Sequence, residues 1–256
     1  MDTPESLREQ RTIWEDRARD KGSSLGSVLF RRMPECVNAY IHARHSDVIL
    51  ERFLPRVREY GRLLDLGCGY GRLSQIVRTS RPDLELIGVD FSRTFCQLYR
   101  AGTSSPAVCA DVARLPFQAA SFDALLSVTS LMYIPRAQRN EAMASLIKLL
   151  RPGGTALFIE PGEEFLSTAA RLSPSSASPT RGLWFRLGEY DALGADHAEI
   201  LDTGGFPVLS ALLPVLQKLG ATRVPLGPLL TLTTGADRVL RNWRRFSVYR
   251  WMILGR

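Results

Sequence analysis

Three glycines at alternate positions, Gly67, Gly69 and Gly71, follow an apolar run in the stretch LLDLGCGYGRLS. Glycine weakens regular structure, so this spacing marks a place where something approaches the backbone closely. A turn between a strand and a helix also aims backbone N–H groups at whatever lies above it. A phosphate, a dinucleotide and a sulfonium-bearing nucleoside are the candidate ligands. A dinucleotide fingerprint would place its third glycine at position 72, where this chain has Arg72, and the Gly-Lys-Ser/Thr of a Walker loop is missing. Two acids extend the pattern. Asp90 closes the stretch LELIGVD, the position from which an acid accepts hydrogen bonds from both ribose hydroxyls. Asp111 closes the stretch PAVCAD and is followed by Val112; there a carboxylate can accept from an adenine amino group while the next backbone N–H donates to the ring. Each aspartate alone could cap a helix. Three strand ends in one order, each with a group that an adenosyl ligand needs, make a site.

The elements that must position these residues are legible in the hydrophobic pattern. Residues 1–60 read as a helical N-terminal cap: SLREQRTIWEDRARD, a break at GSSLGS, then an amphipathic stretch from about Val37 to Tyr60. From Arg62 onward short apolar runs alternate with helical periodicity. RLLDLG, LELIGVD, PAVCAD, SFDALLSVTS and TALFIEP are five strands, and a helix in RAQRNEAMASLIKLLRPGG is stopped by Pro-Gly-Gly. Alternation of this kind builds a parallel sheet with helices on both faces. Beyond Glu160 the rhythm changes. LSPSSASPTRG is an exposed loop, AEILDTGGFPVL reads as a helix, a Gly-Gly turn and a strand start, and FSVYRWMILGR is a final strand. The expected fold is effectively one α/β domain: a Rossmann-like, doubly wound, mostly parallel seven-stranded sheet over residues 61–256, with an insertion at about 207–245 before the last strand.

The series LLDLGCGYGRLS, IGVDFS, ADVARLPF, SFDALLSV and LLRPGG resembles the motif series of class I S-adenosylmethionine-dependent methyltransferases, over roughly Arg62 to Glu160. The similarity is greatest to the group acting on quinones, small metabolites and natural products. The resemblance implies S-adenosyl-L-methionine as cofactor, S-adenosyl-L-homocysteine as product, and a role for each matching position. Asp65 and the Gly67 and Gly69 backbone would hold the methionine end, within a loop that includes Gly71. Asp90 would take the ribose, Phe91 would lie beside the adenine, and Asp111 and Val112 would read it. Ser127 and Val128 would line the methionine side. A side chain at Gly67 or Gly69 would then occupy the volume of the cofactor.

Methyl transfer from a sulfonium is an in-line displacement, so positioning supplies much of the acceleration, and only a hydroxyl acceptor usually needs a base. His197, beyond the fifth strand, is the candidate base, or else a surface histidine on a polar helix in GADHAEI. Tyr133 in SLMYIP either orients the acceptor or walls the pocket. Trp14 either stacks in the site or anchors its helix to the core. No Asn/Asp-Pro-Pro-Tyr/Phe motif is present, which argues against nucleobase or glutamine N-methylation. Pro214, Leu226, Leu229, Leu230, Leu232 and Trp243 suggest an apolar lid, a dimer interface or a membrane-apposed patch, and a lid would imply an acceptor with apolar surface.

The 256 residues are 45% hydrophobic and 23% charged, ordinary for a globular chain with a full core. The N-terminus lacks the apolar core of a secretory signal, no segment is apolar over a bilayer's thickness, and Cys36, Cys68, Cys96 and Cys109 are scattered. These features point to a cytoplasmic protein, a monomer or homodimer, with no zinc site. The net charge of +7 is carried almost wholly by arginine, with lysine only at Lys21, Lys148 and Lys218. Arg238, Arg241, Arg244 and Arg245 cluster, but no aromatic-interleaved motif for nucleic acid accompanies them. The expected function is methyl transfer to oxygen or nitrogen of a small, partly apolar metabolite. RNA methylation and a non-catalytic cofactor-binding partner are the alternatives.

Overall fold

The computed structural model describes residues 4–31, 33, 35–112, 114–164, 182–208 and 226–256. The N-terminal segment forms α1 (Pro4–Lys21), a short α2 (Leu25–Val28) and α3 (Glu35–Val48), which passes into a π turn at Ile49–Phe53 and a 3-10 turn at Leu54–Arg56. The alternating region follows: β1 (Arg62–Leu66), α4 (Arg72–Ser80), β2 (Glu85–Asp90), α5 (Arg93–Thr103), β3 (Ala107–Cys109), β4 (Phe122–Val128), α6 (Arg139–Leu149) and β5 (Leu150–Pro161). The remainder is α7 (Leu187–Ala195), β6 (Glu199–Gly205), α8 (Leu226–Val239) and β7 (Tyr249–Gly255).

The seven strands form one sheet in the order β3-β2-β1-β4-β5-β7-β6. The first five are mutually parallel, and β7 runs antiparallel to both its neighbours. The chain winds outward in opposite directions from β1 and β4, so a crevice opens beyond the carboxyl ends of those strands. Alternate strand residues serve two cores. Leu63, Leu126, Leu157, Ile159, Trp251 and Ile253 pack on the face covered by α3 and the π turn. Leu64, Leu66, Leu125, Phe158, Met252 and Leu254 pack on the opposite face, under α6 and α7.

Two boundaries depart from the sequence expectation. Pro-Gly-Gly does not separate α6 from the next strand, because β5 already begins at Leu150. The segment read as helix, Gly-Gly turn and strand start is instead β6, which runs through Gly204 and Gly205, and the helix lies upstream as α7. The glycines are there for closeness, not for a turn. A Cβ on Gly204 would lie 2.5 Å from Trp251 Cζ2, and one on Gly205 would lie 2.3 Å from Ser247 Oγ. The insertion contributes α8, whereas the LSPSSASPTRG loop up to Arg181 and residues 209–225, with Pro214, fall outside the described residues.

Candidate active site

A cavity of about 260 Å³ lies beyond the carboxyl ends of β1, β2 and β4, with α1 along its rim. Asp65, Gly67, Gly69, Asp90, Phe91, Asp111, Val112, Val128, Tyr133 and Trp14, each expected at the site, all border it. Strand lengths account for this convergence. β1 and β2 pair in register from Arg62 and Glu85, so they deliver the glycine turn and Asp90 side by side.

Asp90 is the organising acid. Its Oδ2 accepts from the Gly69 N–H at 3.0 Å and its Oδ1 from the Ser92 N–H at 2.9 Å. Burial pushes its carboxyl up to about 6, against the pull of these backbone donors. Each oxygen keeps a further lone pair for a ligand hydroxyl. Asp65, also buried, accepts from Ser74 Oγ at 2.7 Å, and Ser74 in turn meets the Tyr99 hydroxyl at 2.9 Å. Burial raises Asp65 to about 6 as well.

The glycines differ in what they make room for. Gly67, Gly69 and Gly71 all have positive φ, at 67°, 52° and 86°. A Cβ on Gly67 would lie 1.8 Å from Ser130 Oγ, and one on Gly69 would lie 2.9 Å from Val28 Cγ1. A substituent at either position would therefore also meet the protein's own side chains. Gly71 does not border the cavity. It is the left-handed cap of α4, and its Cβ position is 2.5 Å from Thr103 Cγ2 on α5.

Two further expectations fail on position. Ser127 is fully buried within β4, and Thr129 and Ser130 border the cavity in its place. His197 follows α7, and its Nε2 lies 2.6 Å from Asn140 Oδ1 on α6. Two residues on, Glu199 aligns with Gly255, which pairs with Thr155 near the start of β5. That is the amino end of the parallel strands, whereas the cavity lies at their carboxyl ends. His197 is thus not the base of this cavity.

Several site residues carried no signal in the sequence. The buried Glu160 at the end of β5 accepts from three backbone donors, Ser130 N at 3.0 Å, Leu131 N at 2.9 Å and Met132 N at 3.2 Å. It fixes the 3-10 turn Leu131–Tyr133 that carries Tyr133 to the wall. Thr129 takes φ 57°, a strained conformation for a β-branched residue that sets Ser130 against the glycine turn. From α1, Arg11 Nε donates to Phe91 O at 3.1 Å, and Glu15 accepts from Ser92 Oγ at 2.6 Å. These bonds hold α1 against the start of α5. Trp14 is then wedged edge-on to Tyr133, ring centroids 5.7 Å apart, with Phe95 at 6.3 Å and the Arg17 guanidinium 4.6 Å over its ring. The Trp14 Nε1–H is buried and has no hydrogen-bond partner among the described residues.

Paired carboxylate oxygens at Asp90, an acid followed by a backbone N–H at Asp111–Val112, and an apolar wall at Phe91 together suit an adenosyl group. Residues 63–154 match the family described as "Methyltransferase domain". Over those residues the chain carries a methyltransferase domain. Over 106 residues, 41% of this chain and 16% of the relative, it is 34% identical to a tRNA (carboxymethyluridine(34)-5-O)-methyltransferase of Xenopus tropicalis. Over 119 residues, 46% of this chain and 45% of the relative, it is 30% identical to a malonyl-(acyl-carrier protein) O-methyltransferase of Enterobacter lignolyticus. The chain thus spans less than half the length of either relative. In fold it is similar to geranyl diphosphate C-methyltransferase from Streptomyces coelicolor, solved with Mg2+, geranyl diphosphate and S-adenosyl-L-homocysteine. That likeness has a TM-score of 0.67 at 14% identity and covers 99% of this chain and 98% of the other. The methyltransferase domain therefore supplies β1 to the start of β5, and the flanking helices complete the cavity.

Proposed function

We propose that this chain transfers a methyl group from S-adenosylmethionine to oxygen or nitrogen of a small, partly apolar metabolite, such as a natural-product or quinone-like intermediate. The observation that carries this reading is the placement of Asp90, Asp111 and Val112 on the same cavity as Trp14 and Tyr133. In this reading Asp90 binds the ribose, and Asp111 with the Val112 N–H reads the adenine. Asp65 orients the amino-acid end. When bound, the cofactor supplies an electrophilic methyl group on sulfur. Trp14, Tyr133, Ile134 and Pro135 then exclude water and hold an apolar acceptor in line with it. No histidine borders the cavity among the described residues, and residues 165–181 and 209–225 contain no His, Asp, Glu or Tyr. An acceptor that arrives already nucleophilic, a carboxylate or a neutral amine, fits such a site better than an alcohol.

The test is to titrate S-adenosylhomocysteine by calorimetry, then incubate the protein with methyl-labelled S-adenosylmethionine and panels of carboxylic acids, amines and phenols. Saturable binding and label on a carboxylate or amine are expected. Absence of binding would sink the reading, and binding without product from any panel or cell extract would favour a non-catalytic partner. The tRNA-modifying relative supports a second reading, with RNA as acceptor. Yet three of the clustered arginines are engaged: Arg238 with Glu51, Arg241 with Asp202 and Arg244 with Asp191. Binding to mixed tRNA is therefore expected to fall with log salt at a slope shallower than about −2, whereas about −5 or steeper would restore the RNA reading.

A further inference from the structure

Helix α8 has one buried side and one bare side. Thr233 and Asp237, one turn apart, face α3, where the Tyr40 hydroxyl accepts from Thr233 Oγ1 at 2.7 Å and donates to Asp237 Oδ2 at 2.9 Å. Leu232 and Val239, two turns apart on a different face, are 78% and 80% exposed. The chain then turns through Arg244–Phe246, and both Trp243 and Phe246 are more than half exposed, with ring centroids 6.3 Å apart. Four of the seven large apolar side chains exposed among the described residues are thus concentrated between Leu232 and Phe246.

The surface beside this strip carries excess positive charge. Asp202 on β6 is the shared partner of Arg52 at 3.7 Å, Arg56 at 3.9 Å and Arg241 at 3.6 Å. Three guanidiniums against one carboxylate leave two positive charges, and all three distances exceed a hydrogen bond. Arg52 and Arg241 also border a cleft of about 100 Å³ beside α8. The acids on that cleft are engaged: Asp47 with Arg44, Glu51 with Arg238 and Asp237 with Tyr40. Arg245, exposed and next to Phe246, forms no ion pair among the described residues and adds a third charge.

This combination selects the partner. A second copy of the chain would bring the same positive charge to a two-fold contact. RNA offers phosphates but little to cover Leu232 and Val239, and Arg238 and Arg244 are engaged by Glu51 and Asp191. A bilayer surface with anionic lipids supplies both halves, phosphates for the arginines and an acyl boundary for the apolar side chains. We propose that α8 and the turn after it dock this chain on an anionic lipid surface. Leu232, Val239, Trp243 and Phe246 enter the acyl boundary, while Arg245 and the arginines around Asp202 meet the phosphates. No helix among the described residues is long and apolar enough to cross a membrane, so the contact is superficial. The inference goes beyond the methyl-transfer reading and does not depend on it.

The experiment is co-sedimentation with phosphatidylcholine vesicles, with and without added phosphatidylglycerol. Binding to the anionic vesicles is expected to be at least about tenfold tighter and to weaken with salt. Trp243→Ser and Leu232→Ser should each lower it about tenfold, and Arg245→Gln about fivefold, with Arg245→Lys restoring most of the loss. Affinity for S-adenosylhomocysteine without vesicles should stay within about twofold of wild type in every variant, since the altered side chains are on the surface. Equal binding to both vesicle types overturns the proposal, as does undiminished binding by Trp243→Ser and Arg245→Gln. A wild-type dimer that Trp243→Ser dissociates would assign the strip to a second copy. Binding of mixed tRNA that the same variants lose, without vesicle binding, would assign it to RNA. Either result overturns the lipid assignment. Vesicle binding by a protein that does not bind S-adenosylhomocysteine would overturn the methyl-transfer reading and support this one.

Discussion

Asp90 does two things at once: it ties the glycine turn to the start of α5, and it offers the remaining lone pairs of its carboxylate to a ligand. Its carboxyl sits at about 6 because burial penalises the charge. Ribose hydroxyls donate to the ionised form and favour it, so ligand binding lowers this value. The sign follows: affinity for S-adenosylhomocysteine is expected to rise as pH increases from 5 to 7 and to level off above. Calorimetry across that range checks it, with Asp90→Asn expected to lose the pH dependence and about 10- to 100-fold in affinity. A flat wild-type profile would remove Asp90 from the ribose. The acids and glycines were legible in the sequence because their types and their order at strand ends are chemically specific. Arg72 was legible only as a residue that excluded a ligand, since its partners His42 and His45 come from a helix nearly thirty residues earlier.

At the scale of elements, the end of β5 matters as much as the glycine turn. Glu160 holds three consecutive backbone N–H groups and so sets where Ser130 and Tyr133 stand. Burial raises its carboxyl to about 7, and that of Asp65 and Asp90 to about 6. Groups raised in the fold favour the protonated native state, so stability declines as pH climbs through the interval between the unfolded and folded values. For Glu160 the interval runs from 4.5 to about 7 and is worth at most about 3 kcal/mol. Between pH 7 and 8 the aspartates have largely finished titrating and Glu160 has not. Urea denaturation is therefore expected to show the wild-type protein losing stability over that window and Glu160→Gln losing little. Equal slopes would mean that another group titrates there. A glutamate in FIEP gave no hint of this role, because the donors it serves lie about thirty residues earlier and meet it only across β4 and β5. The misread Gly204–Gly205 has a similar cause: a glycine pair signals a turn locally, and only the bulk of Trp251 on the neighbouring strand shows that it makes room beside β6 instead.

For the whole molecule, the decisive property is that a doubly wound sheet has two ends and only one of them gathers the loops of both halves. The alternation of strands and helices revealed that architecture, and the order of motifs along the chain revealed which loops gather. Beyond β5 the sheet adds two strands, and β7 runs against its neighbours, so position along the chain no longer tells at which end of the sheet a residue emerges. His197 shows the consequence. It follows the fifth strand in sequence, as an acceptor-side base would, yet α7 carries the chain back to the amino end of the parallel strands before β6 begins. There its imidazole meets Asn140 on α6, in a partly solvent-exposed bond worth no more than about 1 kcal/mol. A proton removed from an acceptor in the cavity would have to travel the length of the strands to reach it. His197→Ala is accordingly expected to leave both the affinity for S-adenosylhomocysteine and the rate of methyl transfer to an acceptor found by the screen within about twofold of wild type, a change of under ~0.5 kcal/mol. A loss of tenfold or more in rate with unchanged cofactor affinity would mean that His197 reaches the reacting atoms, and that the catalytic end of the sheet is not the one occupied by Asp90 and Trp14.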